Sequence, residues 1–196
     1  MIVVDMESSG VEPHKYSLLS VGAVDFTNPE NTFYGECRVW DGAHVDTDAL
    51  AVNGFSKEQI IDPKKQSEGE LVSAFLQWAE GCPEKTIAGQ NPSLDRDFLR
   101  AAALRQHINW PFAFRVIDLH SIAYFHHIRR GIKPPQKSCH SALNLDSILV
   151  YCGLPKEPRP HNGLRGAQYE AEAFARLFYD KGLLSQFEMY TIPWVL

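Results

Sequence analysis

The spacing of apolar residues is strand-like at the start of the chain. Residues 1–5 form a short apolar run that ends in an acid, and residues 16–26 and 31–40 alternate between apolar and polar positions. The connection at 27–31 contains one proline and two asparagines, which are typical of a tight turn. These features predict three antiparallel strands, the first of which begins at the start of the chain.

Helical spacing then takes over, interrupted by two further strands. Residues 45–55 predict a short helix that ends near Gly54, and residues 67–82 predict a longer one capped by Ser67. Further helices are predicted at 93–107 (capped by Ser93), 120–131, 141–154 and 164–182, and strands at 85–91 and 115–119. Strands followed by alternating strands and helices predict an α/β fold with a mixed five-stranded sheet flanked by helices.

Length and composition narrow the class of protein. The 196 residues, 44% of them hydrophobic, are enough for one core, so a single domain over 1–196 is expected. The net charge of −5 excludes a generally basic nucleic-acid coat, yet it is compatible with a nuclease whose acidic cleft binds cations. Four cysteines without a C-x-x-C pair, no signal peptide and no apolar run of membrane length predict a cytoplasmic protein with reduced thiols and no membrane partner. The apolar segment 187–196 is expected to cover the core or a partner subunit, so a homodimer is compatible with the sequence.

The first candidate site is the end of the first strand, where Asp5 and Glu7 flank one residue. Side chains two apart in a strand point to the same face, so the two carboxylates would repel each other unless a cation lay between them. Hard oxygen ligands suit magnesium or manganese. The alternative is that both acids lie in a solvated turn. The small turn that follows, with Ser8 and Ser9, would leave backbone N–H groups open to a phosphate or sugar.

The second candidate site is the segment 89–99, where Asp95 follows Ser93 in the first turn of a predicted helix. Asp95 could simply stabilise the positive end of the helix dipole. Asn91, four residues earlier, is expected to position a group near the same pocket.

Three segments together resemble a known family. The stretches "VVDMESSG" (3–10), "NPSLDRDFL" (91–99) and "HNGLRGAQYEA" (161–171) resemble, in order, the three motifs of the DEDDh family of 3′→5′ exonucleases. The segments 51–55, 116–123 and 143–155 also resemble parts of that family, so the resemblance covers nearly the whole chain. It implies an RNase H-like sheet, two divalent cations (Mg²⁺ or Mn²⁺), and stepwise removal of nucleotides from the 3′ end of single-stranded DNA, RNA or short oligonucleotides.

The resemblance also assigns roles to residues. Asp5 would bridge both cations, Glu7 would help to hold the cation that carries the attacking water, and Asp95 would serve the second cation. His161 would be the general base, because histidine exchanges protons near neutral pH. Taken alone, His161 would more often be a surface histidine. Contacts to substrate are expected from Met6, Ser8, Ser9, Phe55 and Asn91.

One position departs from the family's pattern. The family has a fourth acid five residues after the histidine, and Gly166 stands there. Glu170 lies one helical turn further on nearly the same face, so its side chain could lean back over Gly166 and act as a substitute ligand. The alternative is that Glu170 is a solvated helix acid. Gly163, where the family tends to have alanine, adds a second glycine to the helix start, at a cost in stability unless the backbone is used. An aspartate introduced at 166 is expected to restore or raise activity.

Two function classes follow. The first is a working exonuclease, favoured by the retention of Asp5, Glu7, Asp95 and His161. The second, favoured by Gly166, is a catalytically impaired nucleic-acid-binding protein that keeps the fold. A zinc site formed by residues 126–131 with Cys139 and His140 is the weakest alternative, because the spacing matches no structural zinc pattern.

Overall fold

A computed structural model describes residues 1–195, and its centre is a mixed sheet. The strands are β1 (Ile2–Ser8), β2 (Leu18–Asp25), β3 (Thr32–Glu36), β4 (Ile87–Gly89) and β5 (Val116–Asp118), in the order β3-β2-β1-β4-β5. β2 is antiparallel to β1 and β3, whereas β4 and β5 run parallel to β1. The mixed five-stranded sheet predicted from the sequence is confirmed. A small hairpin of β6 (Gln136–Lys137) and β7 (His140–Ser141) lies in a segment where only a loop was expected.

Seven helices flank the sheet. They are α1 (Thr47–Asn53), α2 (Lys57–Ile60), α3 (Glu68–Glu80), α4 (Ser93–Arg105), α5 (Leu119–Arg129), α6 (Leu145–Tyr151) and α7 (Gly163–Tyr179), and a 3₁₀ turn follows at Ser185–Phe187. Ser67 caps α3 in a capping box, and Gly54 ends α1 in the left-handed conformation, both as expected. The prediction for Ser93 was wrong: Pro92 is the residue before α4, and no side chain caps this helix. Neither α2 nor the 3₁₀ turn was predicted. Within residues 1–195, no helix is both long and apolar enough to span a membrane.

The two faces of the sheet bury separate apolar clusters. Ile2, Val4 and Met6 point to the face covered by α3 and α4, whereas Val3 points to the face covered by α5, α6 and α7. Side chains alternate between the two faces along a strand. Asp5 and Glu7 follow Val3 by two and four residues, so their carboxylates lie on the same face as Val3, toward α7. This register sets the first motif of the sequence against the third.

The start of α7 lies unusually close to the sheet. A Cβ on Gly163 would lie 2.6 Å from the carbonyl oxygen of Asp5 and 2.9 Å from the backbone nitrogen of Gly22, and a Cβ on Gly22 would overlap the backbone of Gly163 and Leu164. Glycine at both positions therefore permits direct backbone contact between helix and strands. The stability cost of a glycine in α7 is offset by this contact, and the residues that follow are held against β1.

The C-terminal segment packs on its own chain. The indole of Trp194 donates a hydrogen bond to Asp180 Oδ1 at 2.6 Å, and its ring centroid lies 4.5 Å from that of His126 and 5.1 Å from that of Tyr151. Tyr190 also packs against the core on the α7 face. Of the two roles expected for this segment, covering the core is therefore the one that the described residues fulfil.

Candidate active site

Asp5 fills the space above Gly166. A Cβ on Gly166 would lie 2.8 Å from Asp5 Cγ and 3.4 Å from Asp5 Cβ, and would overlap Asp5 Oδ2. The absence of a side chain at 166 is therefore what gives the Asp5 carboxyl its place. This argues against the expectation that an aspartate at 166 would simply complete the site, because it would first displace Asp5.

Asp95 is tied directly to β1, although 89 residues separate it from its partner. Its Oδ1 accepts a hydrogen bond of 3.0 Å from the backbone N–H of Met6, and the residue is only 6% exposed. Met6 thus lies between Asp5 and Glu7 in the chain and binds Asp95 through its backbone. The second motif is brought to the first as the sequence predicted, and Asp95 is more than a helix-dipole residue.

Glu170 is a buried acid whose carboxylate lies near the end of β4. The residue is 3% exposed, which contradicts a solvated helix acid. A Cβ on Gly89 would lie 3.0 Å from Glu170 Oε2, so the carboxylate reaches the end of β4, and that oxygen has no hydrogen-bond partner within residues 1–195. The three atoms nearest to a Cβ at 166 all belong to Asp5, so Asp5 fills that space, and the role of Glu170 as a substitute ligand stays a prediction.

His161 lies on the loop that leads directly into α7, as predicted. Asn162 caps the helix by accepting a hydrogen bond from Arg165 N–H at 3.1 Å, and His161 N–H donates to the carbonyl oxygen of Val52 at 3.3 Å. The imidazole is partly exposed, and its Nδ1 lies 3.8 Å from Glu157 Oε2. The ring thus stands between solvent and a buried acid.

Glu157 was missed by the sequence reading. Its side chain is 2% exposed, Oε1 lies 4.0 Å from Arg165 Nε, and neither of these two atoms has a hydrogen-bond partner within residues 1–195. The surrounding segment, "PKEPRP", has three prolines and no apolar periodicity, so nothing marked it as buried. The one available signal was its position four residues before His161.

The carboxyl groups of the site repel one another in a buried setting. Burial raises the pKa of Asp5 well above its ordinary value, and Glu170, Asp95, Glu7 and Glu157 raise it further, in that order. Burial, then Glu157, raises the pKa of Glu7 to about 8. The pKa of Asp95 rises to about 7 through burial, against the hydrogen bond from Met6. Burial also raises the pKa of Glu170 and of Glu157. A divalent cation is the charge that would relieve this repulsion.

The donor chemistry fits a hard cation. All five acids offer carboxylate oxygens, which magnesium and manganese prefer, and one oxygen each of Glu157 and Glu170 is buried without a partner. As the side chains lie, no group of three or more His, Cys, Asp or Glu residues between 1 and 195 surrounds a single ion position. The set of ligands therefore remains a prediction.

The turn after β1 uses its polar groups internally. Ser9 is fully buried, its hydroxyl donates to the carbonyl oxygen of His44 and accepts from Ser17 N–H, and its own N–H donates to Ser17. The Ser8 hydroxyl donates to the carbonyl oxygen of Gly10 at 2.6 Å. This arrangement does not fit the predicted open turn, and Ser9 in particular has no group free for substrate.

The other predicted substrate residues differ in access. Asn91 is exposed, and its N–H donates to Asp118 Oδ1 at 3.1 Å. Phe55 is half-buried and lines a cavity of about 300 Å³ together with Tyr34, His161 and Arg165. Met6 points its side chain into the core on the α4 face, so only its backbone faces the site.

Comparison with known proteins identifies the fold. No protein-family model matches the chain. The nuclease domain of 3′hExo, described as a DEDDh family member and solved with bound rAMP, superposes with a TM-score of 0.68 at 17% identity, covering 93% of both chains. The chain has the fold of the DEDDh exonucleases. This confirms the resemblance that the three sequence motifs indicated, and with it the RNase H-like sheet.

The chain is also similar to one relative by sequence and to two further solved structures. Ribonuclease T of Marinobacter nauticus is 29% identical over 187 aligned positions, which cover 83% of this chain and 85% of the relative. Cell-death related nuclease 4 superposes with a TM-score of 0.72 at 16% identity, over 92% of this chain. Exonuclease I of E. coli, in complex with a dA16 oligonucleotide, superposes with a TM-score of 0.70 at 18% identity, over 90% of this chain. The chain spans 64% of the length of cell-death related nuclease 4 and 40% of the length of exonuclease I.

Proposed function

We propose that the protein is a metal-dependent 3′→5′ exonuclease that hydrolyses the terminal phosphodiester bond of single-stranded DNA, RNA or short oligonucleotides. The observation that carries the proposal is the group of four buried acids, Glu7, Asp95, Glu157 and Glu170, around the half-buried Asp5, with His161 beside Glu157. The relatives support it, because their names describe a ribonuclease and exonucleases, and their complexes hold an oligonucleotide or a nucleotide.

In the proposed mechanism, Asp5, Glu7 and Asp95 would hold the divalent cations, Mg²⁺ or Mn²⁺. When bound, two such cations would stabilise the negative charge of the attacking and leaving oxygens. The carboxyl group of Asp5 is close enough to those of Asp95 and Glu7 for their charges to interact, and Asp95 is held by Met6 N–H. Glu170 is proposed as a further ligand from the β4 side rather than through the space above Gly166.

His161 would remove the proton from the attacking water. The imidazole is partly exposed on a loop that Pro160 and Asn162 flank, so substrate can reach it. Glu157 lies on the buried side of the ring, where a carboxylate orients an imidazole and stabilises the imidazolium that forms. His161, on the loop, would take up the proton, and the buried Glu157 would orient the ring.

The second candidate is a nucleic-acid-binding protein that has lost turnover, and Gly166 is the observation that favours it. The buried acids argue for the enzyme. Glu157 and Glu170 place two additional carboxyl groups beside Asp5, Glu7 and Asp95, so the site keeps its negative charge despite Gly166. A protein that only binds nucleic acid gains nothing from a buried group of acids next to phosphates.

The direct experiment follows a 5′-labelled 20-nucleotide strand of DNA or RNA in Mg²⁺ or Mn²⁺. The enzyme shortens the strand one nucleotide at a time from the 3′ end and releases mononucleotides. Asp5→Asn keeps the shape of the side chain and removes its charge, and should abolish shortening. A wild-type protein that binds the strand but leaves its length unchanged in both metals would establish the binding protein instead.

A further inference from the structure

We propose that a groove along α4 binds one nucleobase and its phosphate in the substrate strand, upstream of the bond that is cut. The groove, here called the Phe114 groove, encloses about 340 Å³. It is lined by Arg96, Arg100, Leu104, Trp110 and Phe114, among others. The inference rests on the proposed exonuclease function, because it assigns a place to the part of the strand that lies outside the metal site.

The groove is formed on the same helix that carries Asp95. Arg96, Arg100 and Leu104 are four residues apart on α4, so they form one stripe on a helix whose first turn carries Asp95. The stripe extends for about 12 Å along the helix axis, at about 1.5 Å per residue. Because consecutive residues lie about 100° apart around a helix, a strand whose 3′ end lies at Asp95 passes about 100° around α4 to reach the groove.

Phe114 is presented as a stacking platform. Its side chain is 70% exposed, so the ring is accessible to a base. Arg96 fixes the loop that carries it, because the guanidinium donates to the carbonyl oxygen of Phe114 at 2.6 Å and contacts Asp97 at 2.8 Å. The platform is thus held in place before any ligand binds.

Arg100 supplies the cation that an upstream phosphate needs. Its guanidinium carbon lies 4.8 Å from the centre of the Phe114 ring, compared with 5.5 Å for Arg96. None of the ion pairs within residues 1–195 involves Arg100, whereas Arg96 is paired with Asp97. Arg100 therefore remains available to a ligand.

The pairing of an exposed ring with an available guanidinium favours a nucleic-acid strand over a second copy of the chain. Single-stranded nucleic acid is bound by aromatic rings on which bases stack and by cations that follow the backbone. The lining of the groove contains two arginines and no acidic residue, so Arg100 has no partner of opposite charge there. A phosphate provides that partner directly.

The test compares Phe114→Ala and Arg100→Gln with wild type on two substrates. One is a 20-nucleotide strand that reaches the groove, and the other is a dinucleotide that does not. The ratio of kcat/KM for the 20-mer to kcat/KM for the dinucleotide should fall about tenfold in each variant. Phe125→Ala is the matched control, because Phe125 is also an exposed aromatic residue (62%) but lies on α5, across the sheet. Its ratio should stay at the wild-type value.

Salt dependence separates the two contacts. If Arg100 neutralises one phosphate of a single strand, Arg100→Gln should lower the slope of log Kd against log salt by about 0.7, whereas Phe114→Ala should weaken binding and leave the slope unchanged. Binding is measured by fluorescence anisotropy of the 20-mer in EDTA, so it does not depend on cleavage. If the wild type cleaves neither substrate while the two variants show both binding effects, the proposed enzyme activity is refuted and the proposed binding role of the groove stands.

Three results would refute the proposal that the Phe114 groove binds the substrate strand. The first is an unchanged substrate ratio in both variants. The second is an equal loss on the 20-mer and the dinucleotide, which would place Phe114 and Arg100 at the reaction centre or in the fold. The third is conversion of a dimer into a monomer by Phe114→Ala in size-exclusion chromatography, with unchanged binding of the 20-mer. That outcome would make the groove a contact between copies of the chain.

Discussion

Substitution of Gly166 by alanine is the sharpest perturbation of the site. The new methyl group would lie 2.8 Å from Asp5 Cγ and would overlap Asp5 Oδ2. α7 cannot move away without losing the close contact of Gly163 with β1 and β2, since there is no gap between the backbones. The Asp5 carboxyl is therefore the group that shifts.

Gly166→Ala is expected to lower activity much more than stability. A displacement of about 1 Å in a catalytic group can lower the rate about 100-fold, which is about 2.7 kcal/mol in the activation barrier. In a helix, alanine in place of glycine gains about 1 kcal/mol, and overpacking costs about 1–3 kcal/mol. Gly166→Ala should therefore lower kcat about 100-fold while the free energy of unfolding falls by no more than about 2 kcal/mol.

The assay measures mononucleotide release, together with Mn²⁺ binding by calorimetry and unfolding in denaturant. Gly81→Ala is the matched control, because Gly81 has φ −76° and a Cβ there would meet nothing closer than the Trp78 carbonyl oxygen at 3.5 Å. Gly166→Asp should behave like Gly166→Ala or worse. A variant with alanine or aspartate at 166 that is as active as wild type would refute the argument, because Asp5 would then not need the space above Gly166.

Four further outcomes test the site. His161→Ala should lower kcat by about 10²–10⁴-fold and leave the binding of Mn²⁺ and of the oligonucleotide unchanged, and a matching loss of binding would refute its role as base. Glu157→Gln should lower kcat about tenfold with little change in KM or melting temperature, and a melting temperature that falls as far as activity would make Glu157 structural. Glu170→Gln should weaken Mn²⁺ binding in calorimetry, and an unchanged affinity would remove it from the ligand set. The pKa of Glu7 rises to about 8 in the folded protein, so the folded state binds more protons than the unfolded one between about pH 4.5 and 8. The melting temperature of the protein in EDTA should therefore fall as the pH rises through that range. If Glu7→Gln does not make the melting temperature less dependent on pH, Glu7 is not the cause.

The parts of the fold that the sequence predicted are those with strong periodicity or clear caps. The alternating pattern before residue 40 marked three strands, and the capping box at Ser67 and the left-handed Gly54 marked helix ends. The β6–β7 hairpin was missed because its strands have two residues each and are exposed, so no apolar alternation marks them. Ser93 was misjudged because proline at 92 begins the turn, and a serine inside a helix cannot act as its cap.

The candidate site could be predicted only where its residues belong to regular elements. Asp5 and Glu7 follow from the two-residue period of β1, and Asp95 from the start of α4. Glu157 lies in a loop without periodicity, and its burial depends on how that loop folds over the start of α7. The packing of Asp5 against Gly166 likewise depends on backbone contact between distant segments, which composition and spacing do not record.

The missing acid at 166 is better understood as a redistribution of charge than as a loss. The close contact of Gly163 with Gly22 brings α7 so near to the sheet that a side chain at 166 and the carboxyl of Asp5 cannot share the same space. Asp5 takes that space, while Glu170 and Glu157 approach the cluster from either side, one from the end of β4 and one from the loop before His161. The same backbone contact that excludes an aspartate at 166 thus leaves five acids, four of them buried, around the site. For this reason, restoring the family's residue at 166 should damage the site, although sequence comparison alone would suggest that it repairs it.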